Sequence, residues 1–206
     1  LEDNRSADLR KRVAREAAAL LYTSQEKEYK QAKKRAIKTL GVRVLPSNRE
    51  VAEELDKIAE EREGQSRRER LLQMRKETLK IMELLKNFHP KLIGSVWRGT
   101  AHQNSDIDIV TFSSAPETVL AQLQKSNFRV AKTEWLAVTK VGKKESSFHI
   151  YLTRPSSNEV EVVVRSPERI SQLERCEIYG DVVTGLNYHQ LQKILKENPF
   201  QKFVPT

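Results

Sequence analysis

Leu92-Ile93-Gly94-Ser95-Val96-Trp97-Arg98-Gly99-Thr100-Ala101-His102-Gln103-Asn104-Ser105-Asp106-Ile107-Asp108-Ile109-Val110 is the stretch that decides how this chain is read. Its second half, with Thr111 and Phe112, has the apolar, β-branched composition of a strand. Side chains alternate faces along a strand, so Asp106 and Asp108 project to one side while Ile107 and Ile109 enter the core. Two neighbouring ionised carboxylates repel each other, and burying them unpaired would cost several kcal/mol. A divalent cation relieves that repulsion, and carboxylates together with phosphate oxygens are the usual ligand set of Mg2+. Standing alone, the pair would read as two aspartates on an exposed strand edge.

It does not stand alone. Gly94-Ser95 precedes Asp106 by ten intervening residues. A glycine there lets the backbone approach a phosphate closely, and Ser95 adds a hydroxyl donor to the backbone N–H groups. Arg98 follows with a guanidinium suited to bidentate phosphate contact, and Gly99 offers a second permissive backbone position. A phosphate turn, a cation and a carboxylate pair in this order are far more specific than any component.

The segment resembles the nucleotidyltransferase superfamily typified by DNA polymerase β, whose motif is an apolar residue, Gly-Ser, a spacer of about ten residues and Asp-apolar-Asp. The Gly94-Ser95-Val96-Trp97-Arg98-Gly99 form looks most like the polymerase β and CCA-adding branches. The motif covers about 20 residues, and a compatible order of strands and helices extends the resemblance to residues 75–200. It implies a palm-like mixed sheet and an enzyme that moves a nucleotidyl group from a nucleoside triphosphate such as ATP to an acceptor hydroxyl. It also implies Mg2+ or Mn2+ as cofactor, held by Asp106, Asp108 and a third carboxylate on a later strand. In Glu159-Val160-Glu161-Val162-Val163-Val164-Arg165, Glu161 is taken for that third ligand over Glu159, which shares its strand face. The family commonly carries Asp there, and Glu is a longer arm. Gly94, Ser95, Arg98 and Gly99 are the expected substrate-binding residues, with Thr184 and Tyr188 as weaker candidates for base or ribose contact.

The rest of the chain predicts an α+β protein. Apolar residues recur at helical spacing through residues 5–88, with a stop at Gly41, a capping box at Ser47 and Glu50, and an interruption at Gly64. Residues 1–88 are therefore expected to form a helical, basic accessory region, and residues 89–206 the catalytic domain. After Pro90 the pattern predicts a helix over 116–125, strands over 128–141, 148–153 and 160–165, and short helices over 167–177 and 187–197. Arg154-Pro155-Ser156-Ser157-Asn158 reads as a hairpin-like turn.

The chain has 206 residues and a formal charge of +9; residues 1–90 hold 22 basic against 16 acidic side chains. The densest basic cluster, Lys27, Lys30, Lys33, Lys34, Arg35 and Lys38, is expected to guide a nucleic-acid or other polyanionic acceptor. A solvated helix face explains the same charges, and so charge alone decides nothing. One cysteine, Cys176, excludes an internal disulfide framework and fits a reducing, cytoplasmic setting. No apolar run approaches the roughly 20 residues that span a bilayer. The four histidines, His89, His102, His149 and His189, lack metal-ligand spacing. Trp97 reads as packing under the turn. The non-enzymatic alternative is a nucleotide- or nucleic-acid-binding module on the same fold.

Overall fold

The computed structural model describes residues 2–126, 128–140, 143–153 and 159–206. These residues form seven α-helices and a six-stranded mixed sheet, an α+β architecture. The first four helices are α1 (Glu2–Tyr22), α2 (Tyr29–Leu40), α3 (Asn48–Glu63) and α4 (Gln65–Leu84). Their boundaries follow local chemistry. Gly41 takes the left-handed conformation that ends α2, its N–H donating to the carbonyls of Ile37 and Lys38. Ser47 and Glu50 form the reciprocal capping box that opens α3. Gly64 separates α3 from α4.

Strand β1 (Lys91–Ile93) leads through the one-turn helix α5 (Gly94–Arg98) to β2 (Ile107–Phe112). Helix α6 (Pro116–Lys125), strands β3 (Arg129–Lys140), β4 (Lys143–Thr153) and β5 (Val160–Arg165), the two-residue β6 (Leu186–Asn187) and helix α7 (Tyr188–Glu197) follow. The sheet order is β3-β4-β5-β2-β1-β6, with β2 and β5 parallel and every other pair antiparallel. Strand alternation gives the sheet a core face and a polar face. Ile107, Ile109, Ile150, Leu152, Val160 and Val162 are fully buried on the first. Asp108, Glu161, His149 and Tyr151 stand on the second by alternation and register.

Buried apolar side chains gather into two clusters. In one, Leu71, Met74, Ile81 and Met82 of α4 pack with the sheet, α6 and α7. In the other, α1 and α2 meet α3 through Val13, Ala17, Ala32, Ala36, Val51 and Ile58. The apolar division thus falls at Gly64, and α4 is the helix on which the sheet packs.

The expected helix over 167–177 is not formed. Only the 3-10 turn Pro167–Arg169 is helical, and the chain then runs irregularly to a bridge between Arg175 and Val182. Ion pairs rather than an apolar stripe hold this segment: Glu174 accepts from Arg165 at 2.9 Å and Arg169 at 2.6 Å, while Ile170 and Leu173 stay exposed. The turn expected across Arg154–Asn158 lies outside the described residues, as do residues 141–142 between β3 and β4.

Candidate active site

The site is built where β1 turns into α5 beside the start of β2. Ile93 pairs with Asp108 across β1 and β2, so the next residue, Gly94, lies against the Asp108 side chain. A side-chain carbon added at Gly94 would stand 2.1 Å from Asp108 Oδ2, and Gly94 holds φ at +72°. Both facts require glycine, since a bulkier residue would meet left-handed strain and displace the carboxylate. Asp108 pairs in register with Glu161 across the parallel β2–β5 ladder, and the Ile107 N–H donates to Glu159 O at 3.0 Å. The sheet therefore brings Asp106, Asp108, Glu159 and Glu161 to one end of one face.

Their electrostatics follow from that crowding. Burial, reinforced by the neighbouring carboxylates of Glu161 and Asp106, pushes Asp108 up to about 7. Burial also raises Asp106, opposed by a hydrogen bond from the Glu159 backbone N–H and reinforced by the charges of Glu159 and Glu161. A bound cation would relieve the repulsion between such adjacent carboxylates. The hard oxygens of Asp106 and Asp108 thus fit Mg2+ or Mn2+.

Glu161 departs from expectation. Its carboxylate oxygen lies 2.6 Å from His149 Nδ1, and His149 Nε2 lies 2.8 Å from Ser147 Oγ. Among the described residues no group of three His, Cys, Asp or Glu side chains is gathered to hold a metal ion. The three carboxylates expected around one centre are adjacent, but the third is turned to a histidine. Alternation in Ser147-Phe148-His149-Ile150-Tyr151 carries the signal for His149, because it places His149 on the carboxylate face, opposite Phe148 and Ile150.

The phosphate-turn residues separate into two groups. Gly94 and Ser95 line a cavity of about 660 Å³ together with Asp106. Arg98 lines the same cavity but is also engaged in packing, and Gly99 is not part of the lining. The Arg98 guanidinium is 4% exposed, pairs with Asp181 at 2.7 and 3.1 Å, and donates to Phe203 O at 2.8 Å. It is further sandwiched by the rings of Trp97 and Tyr179. Both terminal nitrogens of Arg98 are thus engaged by Asp181. Gly99 caps α5 in the left-handed conformation, and a side chain there would strike Gln201 O at 2.7 Å. Trp97 is buried beneath the turn against Phe203, as expected.

Two buried arginines fix the turn from below. Arg75 donates to the carbonyls of Val96, Trp97, Pro199 and Gln201, so it ties α5 to the C-terminal segment. Arg67 donates to the carbonyls of Ala101 and Thr100 and pairs with Asp56 of α3. The motif spacer is also anchored to the first helix, because Asn104 Nδ2 donates to Tyr22 O at 2.8 Å.

The N-terminal helices complete the cavity: Ser24, Lys27 and Tyr29 from the α1–α2 region, and Leu55 and Asp56 from α3, line it with Gly94 and Ser95. Tyr179 and Val183 close a further side. Neither Thr184 nor Tyr188 lines it, and the Tyr188 ring packs edge-on against His189. No described helix is long and apolar enough to cross a membrane.

No curated protein matches the chain. Among solved structures it is similar to Cid1 in complex with the UTP analogue UMPNPP, at 16% identity and a TM-score of 0.34, over 58% of this chain and 38% of that one. It is also similar to the GLD-2/RNP-8 complex, at 14% identity and a TM-score of 0.36, over 60% of this chain and 39% of that one. This chain thus spans about two fifths of the length of each. The model of the nucleotidyltransferase domain matches residues 76–182, more than half of the sequence and all of the Gly94–Asp108 turn and Glu161. On that match, the chain belongs to the nucleotidyltransferase domain family.

Proposed function

We propose that this protein is a divalent-metal-dependent enzyme that transfers a nucleotidyl group from a nucleoside triphosphate to an acceptor hydroxyl. One observation carries the reading: Gly94 fits against Asp108 so closely that no side chain is admitted, beside a cavity that Ser95 and Asp106 also line. The cavity is in the range of small-molecule sites, which run from roughly 300 to 1,000 Å³.

In this reading the Gly94-Ser95 backbone and the Ser95 hydroxyl hold phosphate oxygens, and Gly94 leaves room for the Asp108 carboxylate beside them. Asp106 and Asp108 hold Mg2+ or Mn2+, which when bound offsets phosphate charge and acidifies an attacking hydroxyl. Glu161, fixed by His149, helps activate that hydroxyl from the β5 side. Arg98, Arg75 and Arg67 act through the turn that they brace, keeping the reacting groups in line, which is where such transfers gain much of their rate. A nucleic-acid end is the proposed acceptor, guided by exposed lysines of α2 such as Lys30, Lys34 and Lys38.

The test is incubation with each labelled nucleoside triphosphate, Mg2+ or Mn2+, and a mixed pool of RNA, DNA and protein. Label covalently joined to nucleic acid supports the full reading, and label on protein changes the acceptor. Binding of nucleotide with no labelled product supports the non-catalytic module.

A further inference from the structure

The cavity wall contains six fully charged side chains: Glu26, Lys27, Asp56, Arg98, Asp106 and Glu174. Four of them are neutralised by partners elsewhere. Glu26 pairs with Arg35, Asp56 with Arg67 and Lys202, Arg98 with Asp181, and Glu174 with Arg165 and Arg169. Among the described residues Lys27 and Asp106 form no ion pair within 4.0 Å. Both side chains line the same cavity. His102, which also lines the cavity, is held toward its neutral form by burial. The wall therefore presents one ammonium and one carboxylate without an ion-pair partner to the same space.

That pairing matches a nucleoside triphosphate with its cation, which needs an acidic group for the cation and a basic group for the phosphate chain. We propose that Lys27 is a polyphosphate-binding residue of the nucleotide site, supplied by the N-terminal helical region. The inference rests on the nucleotidyltransferase reading above and adds Lys27 to the phosphate side of the site, where the terminal nitrogens of Arg98 are held by Asp181. It also separates Lys27 from the acceptor-guiding cluster of α2.

The segment that carries Lys27 is suitably fixed. Between α1 and α2 the N–H groups of Gln25 and Glu26 both donate to Leu20 O, at 3.0 and 3.2 Å. Arg35 reaches back to the side chains of Glu26 and Gln25. Ser24, in a left-handed conformation at φ +56°, turns the chain toward the cavity. The lysine thus starts from an ordered backbone, and only its own side chain must be immobilised on binding.

The test is isothermal titration of the four common ribonucleoside triphosphates and the matching monophosphates, with Mg2+, into wild type, Lys27→Ala and Lys27→Arg. Loss of a charge-assisted phosphate contact should lower triphosphate affinity about tenfold in Lys27→Ala. Monophosphate affinity should change less than about twofold, and Lys27→Arg should stay within about threefold of wild type. Unchanged triphosphate affinity in Lys27→Ala overturns the inference while the reading of the site stands. An equal loss for mono- and triphosphate overturns it too, since it would mark Lys27 as wall packing. Wild type that binds no nucleotide overturns both the inference and the reading beneath it. Lys27 is exposed, so an unchanged melting temperature verifies the fold of each variant.

Discussion

Gly94→Ala separates function from stability at this site. The new methyl group would stand 2.1 Å from Asp108 Oδ2, 3.0 Å from its Cγ and 3.2 Å from its Cβ. Ordinary contact requires the carboxylate to retreat by roughly 1 Å or more, and a misplacement of that size costs on the order of 100-fold in rate. Asp108 is a short side chain at the end of its strand, so rotation relieves the clash at small cost to the fold. What the fold does bear is the left-handed backbone at position 94, about 1–2 kcal/mol for alanine. For a protein of this length that lowers the melting temperature by roughly 2–8 °C. The assay pairs a thermal melt, followed by circular dichroism, with transfer of radiolabelled nucleotide at saturating Mg2+. A small drop in melting temperature with a rate loss of about 100-fold is the expected outcome. Wild-type rates in Gly94→Ala would refute the reasoning, and so would a rate loss that merely tracks unfolding.

Three further outcomes follow from the same geometry. Asp108 has a folded-state pKa raised to about 7 from an ordinary value of 3.8, so its contribution to stability is complete below that lower value and is lost as pH rises through 7. Asp108→Asn should therefore melt above wild type at pH 8, by a difference on the order of 4 kcal/mol that falls below about 1 kcal/mol near pH 4; a difference independent of pH would contradict this. Arg98→Ala removes one half of a buried ion pair and leaves Asp181 and Phe203 O without their donor. It should cost about 2–4 kcal/mol of stability in a denaturant titration, whereas a phosphate-binding role alone would leave the midpoint unchanged. Glu161→Gln and His149→Ala should each slow transfer without changing triphosphate affinity, since both residues stand on the β5 side, outside the cavity wall. Weakened triphosphate binding in either variant would contradict that placement.

Much of the fold was legible because its determinants are local. Val160–Arg165 and Pro116–Lys125 occupy the bounds expected from alternation and helical spacing, and the Ser47–Glu50 box opens α3 where its pattern placed it. The Gly94–Asp108 contact was legible only as a motif. Its physical reason, a glycine with no room for a side chain, needs the β1–β2 register. Residues 167–177 were misread as a helix because their conformation is set by partners far away in sequence, such as Glu145 on Arg169. The pairing of Arg98 with Asp181 was out of reach for the same reason, as Asp181 lies 83 residues downstream. The cavity wall formed by Lys27, Tyr29 and Asp56 was beyond reach, since nothing local states that α1–α3 fold back over the catalytic turn.

The central claim is that Asp106 and Asp108 form the cation-holding pair of a nucleotidyl-transfer site. Its most direct test is single-turnover transfer of radiolabelled nucleotide, with Mg2+ varied, by wild type, Asp106→Ala and Asp108→Ala, each shown by circular dichroism to be folded. The account predicts Mg2+-dependent product from wild type and none above background from either variant. Product formation at the wild-type rate by a folded Asp106→Ala or Asp108→Ala would contradict it.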